Sequence, residues 1–171
     1  YPKESRIKSK EDLPKLGIKT FFCSNVCAAY RKSEYNALGG FPLHTIFNED
    51  MIFAGKALLQ DDYAVAYAAG ARVIHSHNYN CRQQFKRNFD LAVSQADHPE
   101  LFGCVRSESE GIRLVKSTAH FLIRLVPGLV VKSGFKFLGY RAGKCYRLLP
   151  KWLILKLTMN REYWKKACDR A

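Results

Sequence analysis

Several things are scarce in this 171-residue sequence, and each scarcity removes a class of protein. Its six cysteines, Cys23, Cys27, Cys81, Cys104, Cys145 and Cys168, include no C-x-x-C pair and no zinc-finger arrangement, which argues against a zinc ribbon and for reduced thiols in a cytosolic protein. No apolar run reaches the ~18 uninterrupted residues of a membrane-spanning helix, because Arg124 and Pro127 interrupt the richest stretch. Internal repeats and low-complexity tracts are missing as well. The chain opens Tyr1-Pro2-Lys3 with no methionine, no basic-then-apolar leader and no small-residue cleavage site, and the expectation is therefore a fragment and not a secretory precursor.

Acidic residues are scarce in one part of the chain only. Residues 1–110 carry 14 Lys/Arg against 13 Asp/Glu, a net of +1, whereas residues 111–171 carry 14 against 2, a net of +12. Nearly the whole formal charge of +13 is C-terminal, and such a segment needs an anionic neighbour: nucleic acid or an anionic membrane surface. Hydrophobic residues make up 47% of the sequence, enough for one packed domain and too many for a disordered tail.

Along the chain, the first sixteen residues read as a connecting loop. Ile18 to Cys23 has the length and composition of a strand, and Arg31 to Leu38 reads as a short helix stopped by Gly39-Gly40. Asn48 marks a helix start, with Glu49 and Asp50 in the first turn, where negative charge meets the positive end of the dipole. Tyr63–Ala68 and Ala71–His75 read as strands, and residues 83–95 as a helix. Beyond about Ser107, apolar stretches studded with Lys and Arg (112–126, 129–140 and 152–157) predict short amphipathic helices.

Three groups have the residue types of a transfer site. Asp50 is placed to accept a proton, although Glu49 and Asp50 can also simply serve the helix dipole. His75 and His77, two apart on a predicted strand, would share one side and suit a metal or phosphate, or be polar strand-end residues. Gln84 and Arg87, three apart on a predicted helix, share a face on which Arg87 offers a forked donor, or they lie on a solvated surface.

The order of the segments Phe22-Cys23-Ser24-Asn25-Val26-Cys27-Ala28-Ala29-Tyr30-Arg31, Gly39-Gly40-Phe41-Pro42, Asn48-Glu49-Asp50, Ala71-Arg72-Val73-Ile74-His75-Ser76-His77 and Gln84-x-x-Arg87 resembles the second half of the family-2 glycosyltransferases of GT-A fold. The likeness covers residues 17–100. It implies an α/β fold, α+β in the truncated form, with residues 1–107 as the acceptor-side half of the catalytic domain and 108–171 as a basic helical extension. It further implies Asp50 as catalytic base with Glu49 beside it, and Ser24, Asn25, Gly40, Gln84 and Arg87 as substrate contacts. His75 and His77 are implied on the side of a divalent metal, Mg or Mn, whose other ligands come from a missing N-terminal half.

Two departures stand out. Asn88 occupies the place of tryptophan in Q-x-x-R-W, and no Asp-x-Asp motif is present, Asp61-Asp62 being adjacent. The isolated chain is therefore expected to be inactive. The wording of residues 19–50 and the basic tail with Leu138-Gly139-Tyr140-Arg141-Ala142-Gly143-Lys144 is similar to bacterial rhamnosyltransferase-like members. That implies transfer of rhamnose from dTDP-rhamnose, a nucleotide-sugar donor, to a glycan or lipid-linked acceptor in surface polysaccharide synthesis. The enzyme would then be cytoplasmic and peripheral on the inner face of the membrane, attached by its basic segment to the anionic surface and not to nucleic acid, with a homo-oligomer left open. The competing readings are a basic nucleic-acid-binding module, for which no signature is present, and a non-catalytic transferase-like scaffold.

Overall fold

Helix dominates the computed structural model, which describes residues 2–60, 63–103 and 127–166. In chain order the elements are β1 (Arg6–Lys8), α1 (Leu13–Leu16), α2 (Lys32–Ala37), α3 (Glu49–Gln60), β2 (Val65–Tyr67), α4 (Cys81–Asp97), α5 (Pro99–Phe102), α6 (Pro127–Lys144), α7 (Lys151–Leu157) and α8 (Arg161–Lys166), with short 3-10 turns at Lys10–Asp12, Gly17–Thr20 and Tyr146–Leu148. The described residues fall into two units, residues up to 77 with 98–103, and residues 78–97 with 127–166. A single cut at 107 does not separate them, because α4 groups with the C-terminal helices.

In the first unit β1 pairs antiparallel with β2, in the register Arg6↔Tyr67, Ile7↔Ala66 and Lys8↔Val65. The strand expected at 63–68 is therefore present, but its partner comes from the stretch read as a loop. Two other expected strands are not formed. At 18–23 the backbone instead turns through Gly17–Thr20. There the N–H groups of Phe21 and Phe22 find the carbonyls of Ile18 and Lys19 at 3.2 and 3.3 Å. The apolar content of that segment goes into the core through Phe21, so hydrophobic burial is satisfied without a ladder. Residues 71–78 are irregular and exposed, Ile74 completely so. A strand needs another strand to pair its backbone groups, and among the described residues the sheet consists of β1 and β2 alone.

The core of this unit joins Phe21, Ile52, Leu58, Leu101 and Phe102. Phe21 and Phe102 meet edge to face with centroids 6.4 Å apart, and Gly55 lets the Leu101 side chain approach α3 to 3.4 Å of where a Cβ would be. The start of α3 falls where the sequence puts it: the Asn48 carbonyl accepts the first helical bond from Ile52 N at 2.9 Å. Asn48 itself is left-handed, φ +62°, in place of the extended form usual for a cap, a region that asparagine tolerates better than most side chains. The buried amine of Lys8 donates to the carbonyls of Lys19 (3.1 Å) and Phe22 (2.5 Å). Burial pushes its pKa below the ordinary 10.5.

The second unit is built on α4. Its start carries a reciprocal cap, in which Gln83 N donates to Asn80 Oδ1 and Asn80 N to Gln83 Oε1, both at 2.9 Å. Helix α6 packs along α4, and the approach is close because glycines face it: a Cβ on Gly139 would lie 2.2 Å from Phe85 O, and one on Gly143 2.3 Å from Phe89 O. Asp90, buried in α4, accepts from Thr158 Oγ1 (2.6 Å) and Met159 N (2.9 Å), and Lys86 Nζ donates to Thr158 O at 3.1 Å, which ties the turn after α7 to α4. Helices α6 and α7 realise the stretches expected at 129–140 and 152–157, while 112–126 lies outside the described residues. No described helix is long and apolar enough to cross a membrane.

Candidate active site

The first turn of α3 presents Glu49 and Asp50 side by side, and one residue from another loop holds both. Asn25 donates its backbone N–H to Asp50 Oδ2 and its side-chain amide to Glu49 Oε1, each at 3.0 Å. The other oxygen of Asp50, Oδ1, accepts from Met51 N at 2.8 Å. Asp50 is thereby fixed by two main-chain donors, with a lone pair left on each oxygen for an incoming hydroxyl. Ser24 opens the tight turn that carries Asn25, its carbonyl accepting from Cys27 N at 3.1 Å.

Behind this clamp stands Tyr30, which the sequence reading did not single out. Its hydroxyl donates to Asn25 Oδ1 at 2.7 Å and contacts Cys23 Sγ at 3.5 Å, where the thiol is left as the donor. Burial first, then the Cys23 contact and the negative charge of Asp50 and Glu49, push the phenol's pKa well above the ordinary 10.0. The hydroxyl therefore keeps its proton and goes on donating. The ring is locked among Tyr35, Phe41 and Phe53, with centroid separations from 5.1 to 6.1 Å across the four.

Gly40 belongs to the same assembly. Helix α2 closes with Gly39 N donating to Asn36 O and Gly40 N to Tyr35 O, a Schellman end in which both glycines are left-handed, at φ +77° and +71°. A Cβ on Gly40 would sit 3.0 Å from the Tyr35 ring, and Tyr35 OH accepts from Phe41 N at 3.1 Å. Thus Ser24, Asn25, Gly40, Glu49 and Asp50, which the resemblance names from three separate segments, fall in one unit, with the aromatic cluster behind them. Asn25 spends its polar groups on the carboxylates and the Tyr30 hydroxyl, so its visible role is to position them.

The remaining candidates are carried by other segments. His75 and His77 are exposed on the irregular segment, and their rings meet edge to face at 4.4 Å. Among the described residues no group of three His, Cys, Asp or Glu is placed to hold a metal ion. Mg and Mn favour oxygen ligands, and two imidazoles by themselves do not make such a site. Gln84 and Arg87 are half-buried on α4, in the second unit. Asn88, in the place of the expected tryptophan, turns its amide back to the Gln84 carbonyl at 2.7 Å.

No protein-family model and no solved structure matches the chain at a significant level. Two curated proteins are similar to it: the O-antigen chain rhamnosyltransferase WbaN of Salmonella anatum, 45% identical over 96% of this chain and 53% of its own length, and the O-antigen chain rhamnosyltransferase RfbN of Salmonella typhimurium, 44% identical over 96% and 54%. The chain spans about half the length of these relatives.

Proposed function

We propose that this chain is the acceptor-side part of an inverting glycosyltransferase that adds rhamnose from a nucleotide donor, dTDP-rhamnose, to a growing O-antigen glycan on a lipid-linked acceptor, with Asp50 as general base. The observation that carries the reading is the clamp on Asp50, which presents a carboxylate fixed by two main-chain N–H donors at a helix start. The likeness to two rhamnosyltransferases along nearly the whole chain supports the choice of reaction.

In the proposed step the acceptor hydroxyl gives its proton to an Asp50 oxygen as its own oxygen forms a bond to the anomeric carbon. The bond from that carbon to the nucleoside diphosphate breaks on the opposite face, the electron pair leaving with the diphosphate, and configuration inverts. Fixing the base before the acceptor arrives removes reorganisation from the barrier. Gln84 and Arg87 are proposed as substrate contacts of the second unit, Arg87 through its forked guanidinium.

The test is a hybrid in which this chain replaces the aligned part of the Salmonella anatum protein. The hybrid is expected to transfer rhamnose, and Asp50→Asn to lower kcat by about 10²–10⁴-fold while donor KM changes little. Turnover of the Asp50→Asn hybrid close to that of its parent refutes the assignment.

A further inference from the structure

Helix α6 is amphipathic in an unusual sense: its apolar side faces outward. At about 100° per residue, Phe137, Val130, Leu138, Val131 and Phe135 fall within an arc of about 160°, which Arg141 joins only in the last turn of the helix. Lys132, Lys136, Gly139 and Gly143 lie on the other side, and the glycines are the residues against which α4 packs. In a helix that serves only a protein core the apolar arc is the one covered. Here all five large side chains of the arc are exposed, from 38% for Phe135 to 57% for Leu138. In the same unit Trp152 is 60% exposed, with Lys156 Nζ 5.0 Å from its ring centroid.

We propose that the outward arc of α6 is a membrane-docking face, lying in the plane of an anionic lipid surface with its apolar side chains at the acyl boundary. Charge selects this occupant. Residues 111–171 carry a net +12, so two copies brought face to face would set like charge against like, whereas an anionic bilayer offers the complement. The apolar arc supplies what charge alone does not, insertion below the headgroups. A nucleic-acid surface would leave the three aliphatic members of the arc with no stacking role. The proposal stands apart from the transfer reading, since it uses none of Asp50, Gln84 and Arg87.

Flotation of the 171-residue chain with phosphatidylcholine vesicles, with and without phosphatidylglycerol, tests it. The chain is expected to rise with the anionic vesicles and to be released in part by high salt. Phe135→Asp and Leu138→Asp should each weaken binding by about tenfold or more, because each removes an inserted side chain. Both positions are exposed, and circular dichroism checks that the variants stay folded. Lys132→Gln with Lys136→Gln should weaken binding to anionic vesicles and leave the weak binding to neutral ones unchanged. Four outcomes with the chain alone overturn the proposal: no flotation with either vesicle, flotation insensitive to both aspartate variants, a dimer in sedimentation that those variants dissociate, or single-stranded RNA binding that they abolish. The hybrid with the Salmonella anatum half must float as well. If it does not while the chain alone does, the arc is a contact with that half and the proposal falls, whatever the hybrid's transferase activity.

Discussion

Replacing Gly139 or Gly143 with alanine should destabilise the second unit although alanine is the better helix former. Helix propensity favours the change by about 0.8–1 kcal/mol. Against it, the new methyl on Gly139 would lie 2.2 Å from Phe85 O, and that on Gly143 2.3 Å from Phe89 O and 2.8 Å from Ala92 Cβ. The obstacles are mainly backbone atoms of α4, which no rotamer change removes, so the helices must move apart along their length. Overfilling a packed interface costs typically about 1–3 kcal/mol, leaving a net loss of about 0–2 kcal/mol per site. A chain of this length loses roughly 2–4 °C of Tm per kcal/mol. Gly134 supplies the control on the same helix: a Cβ there meets nothing within 4 Å. Gly134→Ala should therefore raise Tm by about 2–4 °C, the propensity gain standing alone. The double variant Gly139→Ala/Gly143→Ala should cost less than the sum of the singles, because one separation of the helices relieves both clashes. Thermal unfolding followed by far-UV circular dichroism reads all four. If Gly134→Ala and the two interface variants shift Tm in the same direction, the close approach of α6 to α4 is refuted.

Two further outcomes follow from the titrating groups. Tyr30→Phe removes the donor to Asn25, so the hybrid's kcat should fall several-fold with KM little changed. Because the phenol's pKa is raised above 10.0 in the folded chain, its contribution to stability is full below pH 10 and is lost as pH rises toward the folded value. Unfolding measured across that alkaline range should show the loss in the parent chain and a smaller one in Tyr30→Phe. Asp90 is the same case in the acid range: burial holds its carboxyl above the ordinary 3.8, with the Thr158 and Met159 hydrogen bonds pulling the other way. The folded state then binds that proton more tightly than the unfolded state, and the contribution of Asp90 grows as pH falls through the folded value and is full below 3.8. The stability of the parent relative to Asp90→Asn should rise on acidification, and a fall would show that the hydrogen bonds dominate.

What was legible in the sequence was local. The start of α3 could be read because a cap and two acids act within one turn, and the end of α2 because Gly39-Gly40 supply left-handed backbone that other residues resist. The reciprocal cap of Asn80 and Gln83 was equally readable as Asn-x-x-Gln ahead of a helical pattern, and noticing it would have moved the start of α4 back to Cys81. Strands were harder, since an apolar run does not name its partner. The pairing of residues 6–8 with 65–67 joins segments some sixty residues apart, and Phe21 satisfied its burial in a turn. In the candidate site, Asp50 was legible from its place in the helix. Asn25 was named only as a substrate contact, through the resemblance, and its clamp on the carboxylates was not legible, because Asn25 meets Glu49 and Asp50, and Tyr30 meets Asn25, only through the fold.

The tie between Asp90 and Thr158 spans 68 residues, and this sets a schedule for synthesis. At 5–20 residues per second, Thr158 leaves the ribosome about 3–14 s after Asp90. Throughout that interval the Asp90 carboxylate lacks its Thr158 partner, and for the earlier part of it, until Gly139 and Gly143 emerge, the ridge of α4 that receives them is bare as well. The second unit is thus completed from its far end: a chain released before Gly139 would leave the apolar flank of α4 open to any neighbour, and one released between Gly143 and Thr158 would cover that flank but leave the Asp90 carboxylate without its tie.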